Sequence, residues 1–101
     1  MKNEGSKKFA TLDDLTLIRV YLSGPMSHLG NNAFGVLYNR HIQMVKSQCY
    51  RILKNSSQSE DIAQEVFVAF RERLLRKDLS SIENPRAYLK ICSRSRSLKN
   101  L

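Results

Sequence analysis

Long apolar runs are missing from this 101-residue chain, and no stretch approaches the ~20 consecutive apolar residues that cross a bilayer. Met1 to Lys8 is charged and polar with no apolar segment behind it, which argues against a secretory signal. The expected location is the cytoplasm, with no membrane role. Cysteine is scarce: Cys49 and Cys92 sit far apart in helical patterns and lack metal-site spacing, as suits small core fillers in a reducing compartment. His28 and His41 have no HExxH or similar ligand spacing around them, and a lone histidine on a helical stripe reads as a packed or boundary residue. Asp61 and Glu65 stand four apart and share a helical face, but no ExxH set accompanies them as in bundle di-iron sites. There is no glycine-rich phosphate loop, no internal repeat, no strand-like alternation, and no serine or cysteine in a nucleophile context. No catalytic residue, metal or cofactor is expected, and the chain reads as a binding protein.

What is present is ordinary apolar content, 42%, and an unevenly distributed charge of +8. Residues 35–56 carry Arg40, Lys46, Arg51 and Lys54 with no acid, and residues 57–70 carry Glu60, Asp61 and Glu65 with no base. Residues 71–101 hold nine bases against Glu72, Asp78 and Glu83. A basic field attracts polyanions such as nucleic acid, and an acidic patch inside it points to a second, different partner; solvated helix faces give the same pattern.

The periodicities predict an all-α fold, a compact bundle of about four helices. Residues 1–10 read as a disordered lead-in, 11–96 as the domain and 97–101 as a basic tail. The first helix starts with Thr11 as cap and Asp14 reaching back, and buries Leu12, Leu15, Ile18 and Leu22. Ser23, Gly24, Pro25 and Gly30 make the following loop. The second helix runs from Asn32 to about Lys54 with Phe34, Leu37, Tyr38, His41, Val45, Cys49 and Ile52 on one stripe. After Asn55-Ser56-Ser57, a capping box of Ser57 and Glu60 opens the third helix, whose buried stripe is Ile62, Ala63, Val66, Phe67, Phe70 and Leu74. The loop from Lys77 to Glu83 leads to Asn84 as cap and Pro85 at the first helical position. The fourth helix carries Tyr88, Leu89, Ile91 and Cys92 before its pattern decays into alternating serine and arginine.

The informative stretch is Glu60-Asp61-Ile62-Ala63-Gln64-Glu65-Val66-Phe67. With Ile62, Val66 and Phe70 inward, Asp61, Gln64, Glu65 and Val68 lie outside or on the boundary, an acidic and amide-bearing surface suited to arginines on a partner. An amphipathic helix with a charged start favouring its own dipole has the same pattern. The octet resembles the signature of the second conserved domain of bacterial RNA polymerase sigma factors, most like the small extracytoplasmic-function group. Ala33-Phe34, Leu37-Tyr38 and His41 upstream, and Asn84-Pro85-Arg86-Ala87-Tyr88-Leu89 downstream, match in order, so the resemblance spans roughly Leu12 to Tyr88.

That resemblance implies a transcription-initiation domain which binds core RNA polymerase and recognises and melts the promoter −10 element. It assigns docking on the clamp helices of the largest polymerase subunit to Asp61, Gln64 and Glu65. It assigns capture of the non-template strand to the loop from Lys77 to Glu83 and to Asn84, Arg86, Tyr88, Lys90 and Arg94. Tyr88 is the only aromatic residue after Phe70, and a core position competes with a DNA-facing one, so a loop pocket is expected rather than a stacking platform. Two departures stand out. The −35-reading helix-turn-helix domain that follows in such factors is expected to be absent, and Arg94-Ser95 stands where an Arg-Asn pair is usual. An anti-sigma protein is a further expected partner. The alternative expectation is a truncated or inactive sigma-like adaptor that binds a protein partner without opening promoters.

Overall fold

The computed structural model describes residues 9–76 and 82–101. Among them all regular structure is helical: α1 (Asp14–Ser23), α2 (His28–Leu53), α3 (Ser56–Leu75) and α4 (Pro85–Lys99). The all-α class expected from the periodicities is the one observed. Of the expected loop after the third helix, residues 77–81 lie outside the described residues. The chain divides into two compact units, residues 1–40 and 41–101, with α2 contributing to both.

In the first unit, α1 is capped by Asp13 rather than Thr11. The Asp13 carboxylate accepts from the Thr16 backbone N–H at 2.8 Å, and the Thr16 hydroxyl together with that N–H holds its pKa below the ordinary 3.8. The helix thus starts two residues later than expected, and it buries a different face. Leu17, Ile18 and Tyr21 are buried, while Leu15 is 44% exposed. Apolar residues occupy most positions from Leu15 to Leu22, so spacing alone leaves two stripes open. Packing decides between them, with the Tyr21 ring 5.1 Å from that of Phe34. Phe9, counted with the lead-in, is itself buried. Arg40 Nη1 donates to Asp14 Oδ1 at 2.8 Å and its Nη2 to the Ala10 carbonyl at 3.1 Å, tying α2 to the segment before α1.

α2 begins four residues earlier than its apolar stripe predicts. Ser27 Oγ accepts from the Gly30 N–H at 3.0 Å and donates to the Gly24 carbonyl at 2.6 Å, so a cap forms inside the stretch read as loop. Gly30 is required there, because a Cβ would collide with the Gly24 carbonyl oxygen. At the other end α2 stops at Leu53, and Lys54 takes a left-handed backbone (φ 57°) while its N–H bonds the Tyr50 carbonyl at 2.9 Å.

In the second unit, α3 is capped by Asn55, whose side chain accepts from the Gln58 N–H at 2.8 Å, so Ser57 lies inside the helix and not at its cap. The predicted stripe of α3 is buried throughout: Ile62, Ala63, Val66, Phe67, Phe70 and Leu74. Each such large side chain contributes about 1.5–3 kcal/mol by leaving water. Asn84 caps α4 with Pro85 in the first turn, as expected. The rest of α4 departs from expectation. Pro85, Leu89, Ser93 and Ser97 form its buried row at steps of four, Ile91 is 68% exposed, and the helix continues to Lys99 through residues read as tail. Ser93 satisfies its hydroxyl on the Leu89 carbonyl at 2.6 Å. Side chains this small fit where α4 is fully enclosed, which is why a row that looks like decay from its polarity is buried. His41 is buried at 2% exposure, in keeping with a packed histidine.

Candidate functional site

The acidic surface is built by the register of α3. Because Ile62, Ala63, Val66 and Phe67 are buried, Asp61, Gln64 and Glu65 are all exposed, together with Val68 and Glu72. Gln64, Glu65, Val68, Ala69 and Glu72 line a shallow groove of about 270 Å³ whose far wall is Arg96 of α4. Arg96 Nη1 reaches Glu65 Oε1 at 3.4 Å. Arg96 was not among the residues singled out from sequence. Its position follows only once α4 is known to continue past Ser93.

The basic surface is built by the register of α4. With Leu89, Ser93 and Ser97 turned inward, Arg86, Lys90 and Arg94 are exposed at steps of four and form one ridge. Exposed Ile91 and Leu98 add apolar surface to the outer side of the same helix. Arg86 is not wholly given to solvent, since its Nη1 lies 3.3 Å from Nδ1 of buried His41. Asn84 spends its side-chain oxygen on the Ala87 N–H at 3.1 Å.

Tyr88 points a different way from the ridge. Its ring lies 6.0 Å from Phe70, and the Arg73 guanidinium sits 5.8 Å from its centroid. It is half-buried, and burial, aided by its neighbour Cys92, pushes the phenol pKa above the ordinary 10. Of the residues singled out for nucleic acid, α4 therefore brings Arg86, Lys90 and Arg94 together, Asn84 serves the helix start and Tyr88 packs on α3. Lys77 lies outside the described residues.

Among the described residues no group of three histidine, cysteine or acidic side chains is arranged to hold a metal, and no helix is long and apolar enough to cross a membrane. The two exposed surfaces are opposite in charge and sit on adjacent packed helices.

No curated protein and no solved structure matches the chain. A family profile described as Sigma-70 region 2 matches residues 37–101, from within α2 through all of α3 and α4. The family is one of transcription factors rather than enzymes. Since the match covers more than half of the sequence and includes both charged surfaces, the chain belongs to the Sigma-70 region 2 family, whose domains bind core RNA polymerase and recognise the −10 element of promoters.

Proposed function

We propose that this chain docks on core RNA polymerase through the Asp61, Gln64 and Glu65 face of α3 and captures the non-template strand of a melted −10 element along the Arg86, Lys90 and Arg94 ridge of α4. The observation that carries the reading is the separation of the two surfaces by helix register. The octet residues that the resemblance assigns to docking are exposed, while their apolar neighbours hold α3 in place. A carboxylate and amide surface suits the arginines of a clamp-helix partner, because charge-assisted bonds to arginine are directional and often bidentate. The ridge supplies cations for phosphates, and the resemblance adds residues 77–83 to the strand contacts. The finer assignment is to the small extracytoplasmic-function type, with an anti-sigma protein as competitor for the same faces.

The test is binding to purified bacterial core RNA polymerase at moderate salt, with an Asp61→Arg/Glu65→Arg control. Saturable binding is expected, weakened at least about tenfold in the control while its helical circular dichroism is unchanged. Equal affinity of the two proteins removes the docking assignment. DNA binding alone is a poor discriminator, since a chain of charge +8 adheres to any DNA at low salt. The strand assignment requires preference for the non-template over the template strand of a −10 oligonucleotide.

A further inference from the structure

The basic block of residues 35–56 has no part in either surface above, and the structure gathers half of it into a separate groove. The last turns of α2 supply Lys46, Ser47, Tyr50 and Arg51, and the first turns of α3 supply Ser56, Ser59 and Glu60, around a groove of about 440 Å³. That is the size range of small-ligand sites. Tyr50 is 51% exposed, and among the described residues its phenol has no hydrogen bond and its ring no aromatic contact. An aromatic side chain left half in water beside cations is a platform for a flat, electron-rich ring.

The charges beside it suit an anion. Lys46 is held only loosely, 3.8 Å from Glu60, and both side chains remain substantially exposed. Arg51 is exposed, and among the described residues its guanidinium reaches the neutral Gln48 amide, at 3.4 Å, and no acid. Two cations thus face one carboxylate, and one of them has no acidic partner among the described residues. Ser56, in the first turn of α3, adds a hydroxyl-bearing side chain to the residues lining the groove. An aromatic platform beside paired cations and hydroxyls has the recognition chemistry of a base joined to a phosphate.

We propose that this groove binds a nucleoside phosphate, with the base stacked on Tyr50 and the phosphate held by Arg51 and Lys46. The site is separate from the α4 ridge. Gln58 Nε2 donates to the Asn100 carbonyl at 3.1 Å, which places the start of α3 beside the end of α4. Along the axis of that helix the ridge begins about 9 Å away at Arg94 and ends about 20 Å away at Arg86.

The experiment is an NMR titration of the full chain with adenosine 5′-monophosphate, inorganic phosphate and a six-nucleotide single strand, in the wild type, Tyr50→Ala, Tyr50→Phe, Arg51→Ala and Arg86→Ala. Adenosine monophosphate should shift the Tyr50 ring resonances saturably. Its affinity should fall about tenfold in Tyr50→Ala and in Arg51→Ala, and stay near wild type in Tyr50→Phe and Arg86→Ala. A strand that binds much more tightly than the mononucleotide, with the same dependence on Tyr50 and Arg51, identifies the ligand as part of a nucleic acid; equal affinities identify a free nucleotide. The proposal is overturned if Tyr50→Ala changes neither ligand's affinity, or if inorganic phosphate binds as well as the nucleotide. Failure of polymerase docking would not affect these readouts, so the two proposals fail separately.

Discussion

Arg96 Nη1 lies 3.4 Å from Glu65 Oε1, so a cation of α4 covers one of the three side chains assigned to polymerase docking. The pair is open to solvent, and such pairs contribute roughly 0–1 kcal/mol to stability. A docking partner must displace Arg96 or share the carboxylate with it. Arg96→Ala is therefore expected to leave the thermal midpoint within a few degrees of wild type and to tighten polymerase binding by up to about fivefold. Melting curves and equilibrium binding on the same samples check both halves, and a weaker complex would show that Arg96 itself contacts the polymerase.

Ser97 is fully buried, and its hydroxyl has no nitrogen or oxygen partner among the described residues. It sits by the Cys49 thiol, where it partly offsets the rise in thiol pKa that burial causes. Ser97→Ala should cost nothing and stabilise by up to about 1 kcal/mol, since a buried hydroxyl with only a weak sulfur neighbour is poorly satisfied. Ser97→Leu should destabilise by about 1–3 kcal/mol by forcing α4 off its neighbours. Urea unfolding midpoints at constant slope distinguish these from effects on the unfolded chain.

Gly30→Ala tests the turn between α1 and α2. The new Cβ meets the backbone oxygen of Gly24, which cannot rotate away like a side chain. A loss of about 1–3 kcal/mol is expected, despite the higher helix propensity of alanine. A stable Gly30→Ala protein would mean that the turn opens freely.

Tyr88 gives an alkaline signature. Its folded-state pKa is raised above the ordinary 10, chiefly by burial. The folded state thus holds this proton more tightly than the unfolded chain does. The associated stability is complete below pH 10 and is lost as pH rises through the folded pKa. In the ultraviolet titration, the difference between wild type and Tyr88→Phe should be a single tyrosinate transition above pH 10. The wild-type unfolding midpoint should also fall faster than that of the variant over the same range.

Helix number and class, the stripe of α3 and the Asn84-Pro85 start of α4 were legible because each rests on local chemistry: apolar spacing, a capping side chain, a proline where no N–H is needed. The acidic surface followed from the α3 stripe by subtraction. The face of α1 was not legible, because apolar residues stand on nearly all sides and contact with Phe34 makes the choice. The start of α2 was hidden by a glycine that serves a close backbone approach instead of ending a helix. The far half of α4 was missed for another reason: serine is polar in composition, yet at 93 and 97 its small volume is the property in use. The Tyr50 groove left no motif at all, because it joins the end of one helix to the beginning of the next.

The buried row of α4 separates two kinds of inheritance. The seating of α4 rests in part on residues of little volume, Ser93 and Ser97, and a lineage that keeps them keeps the helix where it is. Positions 90, 91, 94 and 98 are exposed and stand outside that constraint, so their side chains can change, one substitution at a time, without first breaking the scaffold that presents them. A change of the exposed surface and a loss of fold are then different mutational events, and the first need not pass through the second.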